Sequence, residues 1–287
     1  MSCSPADGLL TCPNCGKPLD RGAPTRRCPN GHCFDRTARG GYVHLLRQAR
    51  RGSADPGDSA EMCQARTRFL EGNWYAPLRD RVAAEAAALK PHDVLDAGCG
   101  EGWYTRALCD ALPGARICGV DLSKYALRHA GRTCPTAEFA VASIFELPLA
   151  DRSVDLVTHL FAPMADREFA RVLRPGGHLM TVTPGARHLW GLKAVLYEKP
   201  YENPTEVRAL DGFDFVREIA VADTITLTDP RDIEALYRMT PYAWKTGKEA
   251  AARLLALPRL ETEISFQIHL YRAQETIHDK KGAPRCP

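Results

Sequence analysis

The 287-residue sequence predicts a doubly wound α/β fold, built on a mainly parallel seven-stranded sheet, with a small cysteine-bearing module in front of it. Two observations predict the sheet. From residue 93 onward, short apolar runs of strand length alternate with helical patterns, and alternating βα units specify parallel strands covered by helices. The first of these strands also runs into a cluster of glycines, the kind of turn from which a helix starts close over a ligand. A third observation concerns the module, where Cys12-Pro-Asn-Cys15 is followed, after twelve residues, by Cys28-Pro-Asn-Gly-His32.

The module comes first in the chain. A C-x2-C turn sets two thiolates on one side of a tetrahedral ion, and a second knuckle supplies the other two ligands. Gly16 and Gly31 give the tight backbone that such knuckles need. Zinc suits the set Cys12, Cys15, Cys28 and His32, with Cys33 as an alternative fourth ligand. A redox role is disfavoured, because no strand precedes Cys12 and the second knuckle would have no purpose. A segment this short buries little apolar surface, so metal binding supplies its folding free energy, on the order of 10 kcal/mol.

Residues 34–58 read as a connector of turn and loop material, with Gly40-Gly41, a basic run from Arg47 to Arg51, and Ser53-Ala-Asp-Pro-Gly57. A helix then starts with Asp58 as cap and Glu61 three residues on. Met62, Phe69 and Leu70 mark its apolar face, and a second helix runs from about Pro77 to Leu89. Strands follow at Val94–Ala97, Arg116–Val120, Glu138–Val141, Val154–Phe161 and His178–Val182. Helices lie between them to about Leu112, from Ser123 to about Arg132, and from Asp166 to Leu173. Phe213–Val221 and Ile264–Tyr271 alternate apolar and polar residues, which fits an antiparallel edge hairpin. Residues 274–287 form a polar tail, expected to fray.

Composition narrows the class. With 45% hydrophobic and 25% charged residues, the chain is neither disordered nor fibrous. It has no run of about 18 apolar residues, so no membrane span is expected. Met1–Leu10 lacks a basic segment followed by an apolar core, so export is not expected either. Eleven cysteines in a long chain of that kind read as reduced cytoplasmic thiols, some of them bound to metal. Residues 1–52 carry nine Lys or Arg against three Asp, a local +6 on a chain whose net charge is +3. A basic segment on a mildly acidic body is a candidate contact for a polyanion.

The chemistry sits at Asp96-Ala-Gly98-Cys-Gly100-Glu101-Gly102. Glycines let the strand turn sharply and let a ligand approach the backbone. The acid two residues before Gly98 suits an ammonium or sulfonium better than a pyrophosphate, so the pattern departs from the dinucleotide fingerprint. Asp121 ends the second strand, where a carboxylate can take both ribose hydroxyls. Together these favour S-adenosylmethionine over a nicotinamide cofactor.

These residues resemble the first motif of class I methyltransferases, and Leu173-Arg-Pro-Gly-Gly-His178 is similar to the loop before their fifth strand. More narrowly, residues 10–272 resemble the RlmA-type 23S ribosomal RNA (guanine-N1) methyltransferases. The likeness rests on the cysteine knuckles, Phe34-Asp35 with Gly41-Tyr-Val43, Asp55–Met62, Gly100–Thr105, Phe161-Ala-Pro163, Thr183–Leu189 and Met239–Trp244. It implies a zinc-binding, RNA-recognising domain at 1–38, a basic connector with helices at 39–90, and a methyltransferase domain at 91–273. It also implies that Tyr75, Gly100, Glu101 and His188 join Asp96, Gly98 and Asp121 at the cofactor. Ser143, after the third strand, is expected either to meet adenine or to cap a turn. The implied partner is 23S ribosomal RNA or a large-subunit assembly intermediate, with a homodimer left open and the cytoplasm as location. The wording of the motifs favours guanine 745 over guanine 748 of one hairpin loop, and the resemblance admits an effect on the response to macrolide-type antibiotics.

Guanine N1 carries a proton and is engaged in pairing inside a duplex, so the enzyme must reach an extruded base and assist loss of that proton. His188, Asp166 and Glu198 follow strand ends, but the catalytic base is not assigned. Phe161, Trp190, Tyr197, Tyr242 and Trp244 are stacking candidates, and the arginines up to Arg51, Arg26 and Arg27 among them, are expected on the RNA backbone. Two other readings are a zinc-containing methyltransferase acting on a small molecule or protein, and a non-catalytic RNA-binding module.

Overall fold

The computed structural model describes residues 7–21, 24–38, 41–47 and 57–275. Arg39, Arg50, Arg51 and nearly all of the expected tail lie outside the described residues. The N-terminal module consists of two short antiparallel pairs. β1 (Asp7–Thr11) pairs with β2 (Pro18–Asp20), and β3 (Thr25–Arg27) pairs with β4 (Cys33–Asp35). β1 leads directly into Cys12, where the sequence predicted no strand, because pairing with β2 extends those five residues. β5 (Tyr42–His44) follows, then α1 (Ala60–Glu71) and α2 (Ala76–Leu89). The cap of α1 is Ser59, whose Oγ accepts from the N–H of Met62 at 3.3 Å. The expected cap, Asp58, is instead paired with Arg66, because a carboxylate facing a guanidinium is held more strongly there than at a helix end.

The sheet contains β6 (Asp93–Ala97), β7 (Arg116–Asp121), β8 (Glu138–Val141), β9 (Val154–Leu160), β10 (Leu173–Pro184), β11 (Phe213–Leu227) and β12 (Leu260–Ala273). Its order is β11-β12-β10-β9-β6-β7-β8-β5. The seven expected strands are present, and β5 adds an eighth by pairing in parallel with Phe139–Val141. Three residues are too few to show a period, so the connector reading missed this strand; the open edge of β8 recruits it. β11 and β12 are antiparallel from Phe213↔Ala273 to Leu227↔Leu260. They are joined by α7 (Pro230–Arg238), α8 (Tyr242–Lys245) and α9 (Lys248–Leu255) rather than by a hairpin turn.

The two faces of the sheet are covered differently. One carries α1, α2, α3 (Trp103–Ala111), α4 (Lys124–Thr133), α6 (Trp190–Leu196), α7 and α9, through Phe69, Leu78, Leu108, Leu127, Leu192, Leu236 and Leu254. The other carries α5 (Asp166–Val172) and the cysteine module, with Leu9, Leu10, Leu19 and Cys28 packed in one core with Leu95, Val120, Ala140 and Leu149. No helix forms between β8 and β9. The module fills the layer that such a crossover helix occupies in a doubly wound sheet. An isolated bridge joins Leu10 to Leu149, and the N–H of Thr11 donates to the Pro148 carbonyl at 2.7 Å. Among the described residues, no helix is long and apolar enough to cross a membrane.

Candidate active site and metal centre

The ligand atoms of Cys12, Cys15, Cys28 and His32 all lie within 4.8 Å of one another. His32 Nδ1 is 3.5 Å from Cys12 Sγ and 3.4 Å from Cys28 Sγ, and Cys15 Sγ is 3.6 Å from Cys28 Sγ. Tetrahedral zinc with sulfur ligands at about 2.3 Å spaces those ligands by roughly 3.8 Å, so the residues fit the ion. Cys33 is exposed and donates to the Gly31 carbonyl, which leaves His32 as the fourth member. The knuckles form as the sequence dictates, with Gly16 at φ 70° and Gly31 at φ 81°.

The strand order reverses between β6 and β9, the switch point where doubly wound sheets bind ligands. Gly98, Gly100 and Gly102 all hold positive φ there, at 80°, 52° and 77°. A Cβ on Gly98 would lie 3.1 Å from Ala162 Cβ, and one on Gly100 would project into space with Arg66 as its nearest neighbour at 3.8 Å. The backbone of this loop is therefore a cradle that side chains would fill. Asp121 supports it, with its Oδ2 accepting from the Gly100 N–H at 3.0 Å and its Oδ1 from the Ser123 N–H at 2.7 Å. Each oxygen keeps a second lone pair for a diol. A carboxylate beside an open glycine cradle fits an adenosyl donor.

Asp96 is 2% exposed and accepts from the hydroxyls of Thr105 at 2.6 Å and Thr158 at 3.0 Å. Burial pushes its carboxyl up to about 6, against the pull of those two hydroxyls. Burial also raises Asp121 and Glu101. Glu101 Oε1 stands 3.4 Å from Arg66, which also pairs with Asp58. Nothing in the sequence singled out Arg66, a lone basic residue on an amphipathic helix.

Tyr75 and His188 meet on the other side of the site. The N–H of Ser265 donates to His188 Nδ1 at 3.2 Å, so the ring proton sits on Nε2 and points to the Tyr75 hydroxyl, 3.2 Å away. Burial holds His188 down to about 3, helped by the charge of Lys193. Neutral, with both nitrogens engaged, His188 has no lone pair left to act as a base. Phe266 packs against both rings, 4.8 Å from Tyr75 and 4.6 Å from His188. Ser143 Oγ accepts from the Phe145 N–H at 3.2 Å and so caps the turn after β8. Glu198 is exposed, and Asp166 Oδ1 accepts from the Arg167 N–H at the start of α5.

Arg26 departs from its expected place on RNA. It is buried, lies 3.3 Å from Glu138 on β8 and donates to the Asp20 carbonyl, because the module's packing against the sheet leaves Glu138 in need of a cation. Arg27 is exposed. Of the aromatic candidates, Phe161 is 46% and Trp244 70% exposed, while Trp190 lies under the Arg187 guanidinium at 4.3 Å.

Residues 10–53 match the family model described as RlmA, N-terminal, and residues 94–177 match the methyltransferase domain. A Streptomyces fradiae protein named 23S rRNA (guanine(748)-N(1))-methyltransferase is 36% identical over 86% of this chain and 90% of its own length. A Micromonospora griseorubida protein, whose name assigns it to the 23S rRNA (guanine-N(1)-)-methyltransferases, is 39% identical over 86% of this chain and 91% of its own. A Bacillus subtilis protein with the same assignment is 31% identical over 91% and 95%.

Proposed function

Because the chain belongs to the family of 23S ribosomal RNA (guanine-N1) methyltransferases, we propose that it transfers a methyl group from S-adenosylmethionine to N1 of a guanine in a hairpin loop of that RNA. The observation that carries this reading is the joining of a four-ligand cysteine–histidine ribbon and a glycine cradle through one core, in a chain similar to such enzymes over most of its length.

Bound S-adenosylmethionine supplies a methyl group on a cationic sulfur. In our reading Asp121 holds the ribose hydroxyls, the 98–102 backbone cradles the donor, and Glu101, Tyr75 and His188 bound its amino-acid end. The donor so held would offer its methyl group in line with guanine N1 and leave as a neutral thioether, with the N1 proton passing to water. The aligned geometry supplies much of the rate. Zinc, held by Cys12, Cys15, Cys28 and His32, is structural.

The test is methyl transfer from labelled S-adenosylmethionine to an unmodified 23S domain II transcript, digested and read by nucleoside mass spectrometry. We expect 1-methylguanosine, mapped to one loop nucleotide. The motif wording favours guanine 745, whereas the relative named for guanine 748 favours that position, and the map decides between them. Tight cofactor binding with no transfer, either to the transcript or to ribosomal particles lacking the modification, overturns the reading.

A further inference from the structure

Three tyrosines gather beyond the C-terminal end of β10. Tyr197 lies 5.6 Å from Tyr201 and 6.1 Å from Tyr242, ring centre to ring centre. Against them stands Lys193, fully buried on α6, with Nζ 4.5 Å from the Tyr201 ring centre and 6.0 Å from that of Tyr242. Its ammonium donates to the Tyr201 carbonyl at 2.9 Å and to Asn203 Oδ1 at 2.8 Å. Among the described residues, no carboxylate forms an ion pair with it. Glu202 acts on it through its charge alone, and a buried ammonium without a direct ion pair is costly, so its retention asks for a reason.

Its partners supply one. Asn203 Nδ2 donates to the Gly185 carbonyl and the Asn203 N–H to the Ala186 carbonyl, both at 2.8 Å. Lys193 therefore fastens the Tyr201 segment to the turn that carries His188. The cluster borders the cofactor side of the site, since the Gly185 carbonyl that Asn203 holds also accepts from the His188 N–H at 3.1 Å. Tyr201, 49% exposed, presents the cluster to solvent.

We propose that Tyr201, fastened by Lys193, is the surface on which the extruded target guanine stacks. The inference rests on the ribosomal RNA reading and adds the wall of the base pocket to it. Stacking on an aromatic ring is how unpaired bases are held. The ammonium behind the wall also suits the chemistry. As N1 loses its proton, negative charge develops on the base, and a fixed cation in a low-dielectric wall stabilises it. Tyr201 is then a substrate-contacting residue and Lys193 a positioning residue.

The test uses full-length, zinc-loaded protein and the hairpin transcript. Tyr201→Ala should raise the KM for RNA about tenfold or more, the scale of one lost stacking contact. Affinity for S-adenosylmethionine should stay within about twofold, and Tyr201→Phe should restore the wild-type KM, since stacking needs the ring and not the hydroxyl. Lys193→Met should raise the RNA KM as Tyr201→Ala does and lower kcat as well, with Lys193→Arg recovering part of both. An RNA KM for Tyr201→Ala within about threefold of wild type overturns the inference, as does an equal loss of cofactor affinity. Wild-type protein that methylates no RNA fails the underlying reading instead, and the inference falls with it.

Discussion

Removing zinc should dismantle the cofactor site as well as the ribbon. Leu9, Leu10 and Leu19 are 5%, 2% and 2% exposed, packed against Leu95, Val120 and Ala140 of the sheet that carries the glycine loop. Burying a leucine contributes about 2 kcal/mol, so the three together stabilise the joint core by roughly 6 kcal/mol. Whole domains are stable by only about 5–15 kcal/mol. Without its ion the ribbon has little to hold it, and the sheet face it covers is opened to water. At roughly 2–4 °C per kcal/mol, the melting temperature should fall by more than about 10 °C. The measurement is a circular dichroism melt with calorimetric S-adenosylmethionine binding, before and after chelation, with metal content assayed on the same samples. Leu10→Ala separates packing from ligation. It leaves all four ligands in place, yet should cost about 3 kcal/mol as a core cavity and lower the melting temperature by roughly 6–12 °C at unchanged zinc content. Metal-free protein that melts and binds cofactor like the holoprotein would refute the reasoning, as would a Leu10→Ala variant with an unshifted melt.

Three further outcomes are expected. Asp96 keeps its proton up to about 6 in the folded chain, against an ordinary 3.8, so its contribution to stability is lost as pH rises between those values. A cationic donor favours the ionised form, so affinity for S-adenosylmethionine should rise from pH 5 to pH 7, with Glu101 and Asp121 acting in the same direction; Asp96→Asn should flatten that rise, and a level wild-type profile by calorimetry counts against it. His159 is buried with Nδ1 3.1 Å from the Ala97 carbonyl and Nε2 3.0 Å from the Ala162 carbonyl, and burial keeps the ring neutral, so its one N–H donates to one of these two carbonyls, in the cofactor loop or in the Phe161 turn. His159→Phe leaves that carbonyl without its donor and should cost about 1–3 kcal/mol in urea unfolding, an argument that an unchanged midpoint would defeat. Arg26→Glu should lower the melting temperature by setting two buried carboxylates against each other, whereas Arg27→Glu should leave stability alone and reduce the salt dependence of RNA binding by about one ion; equal melts for the two variants would contradict the assignment.

The contrast between Arg26 and Arg27 also shows which parts of this molecule a sequence reading reaches. Buried parallel strands are continuous apolar runs, so Val94–Ala97 and Val154–Leu160 announce themselves, and the knuckle spacing does the same for the metal set. Asp121, Gly98 and Gly100 were legible because their work is local, a turn and the end of a strand. Tyr75 and His188 needed the family resemblance, since their hydrogen bond joins α2's first turn to the turn after β10 across the fold. What stayed hidden depends on distant partners. Arg26 and Arg27 are chemically identical neighbours, and only Glu138 on β8 makes one a strut and leaves the other at the surface. Lys193 gave a faint signal, a single charge within Trp190-Gly-Leu-Lys-Ala-Val-Leu196, and its meaning comes from Asn203 and the Gly185 turn. The stretch from Ala142 to Ser153 carried the most useful overlooked clue. It lacks a helical period where a crossover helix belongs, so something else had to cover Val120 and Ala140. A ribbon with Leu9, Leu10 and Leu19 on one side was the available element. The module that sequence alone presents as an RNA-binding appendage is therefore part of the core beneath the cofactor loop, and under the proposed function only the residues that this packing leaves exposed are available to meet RNA.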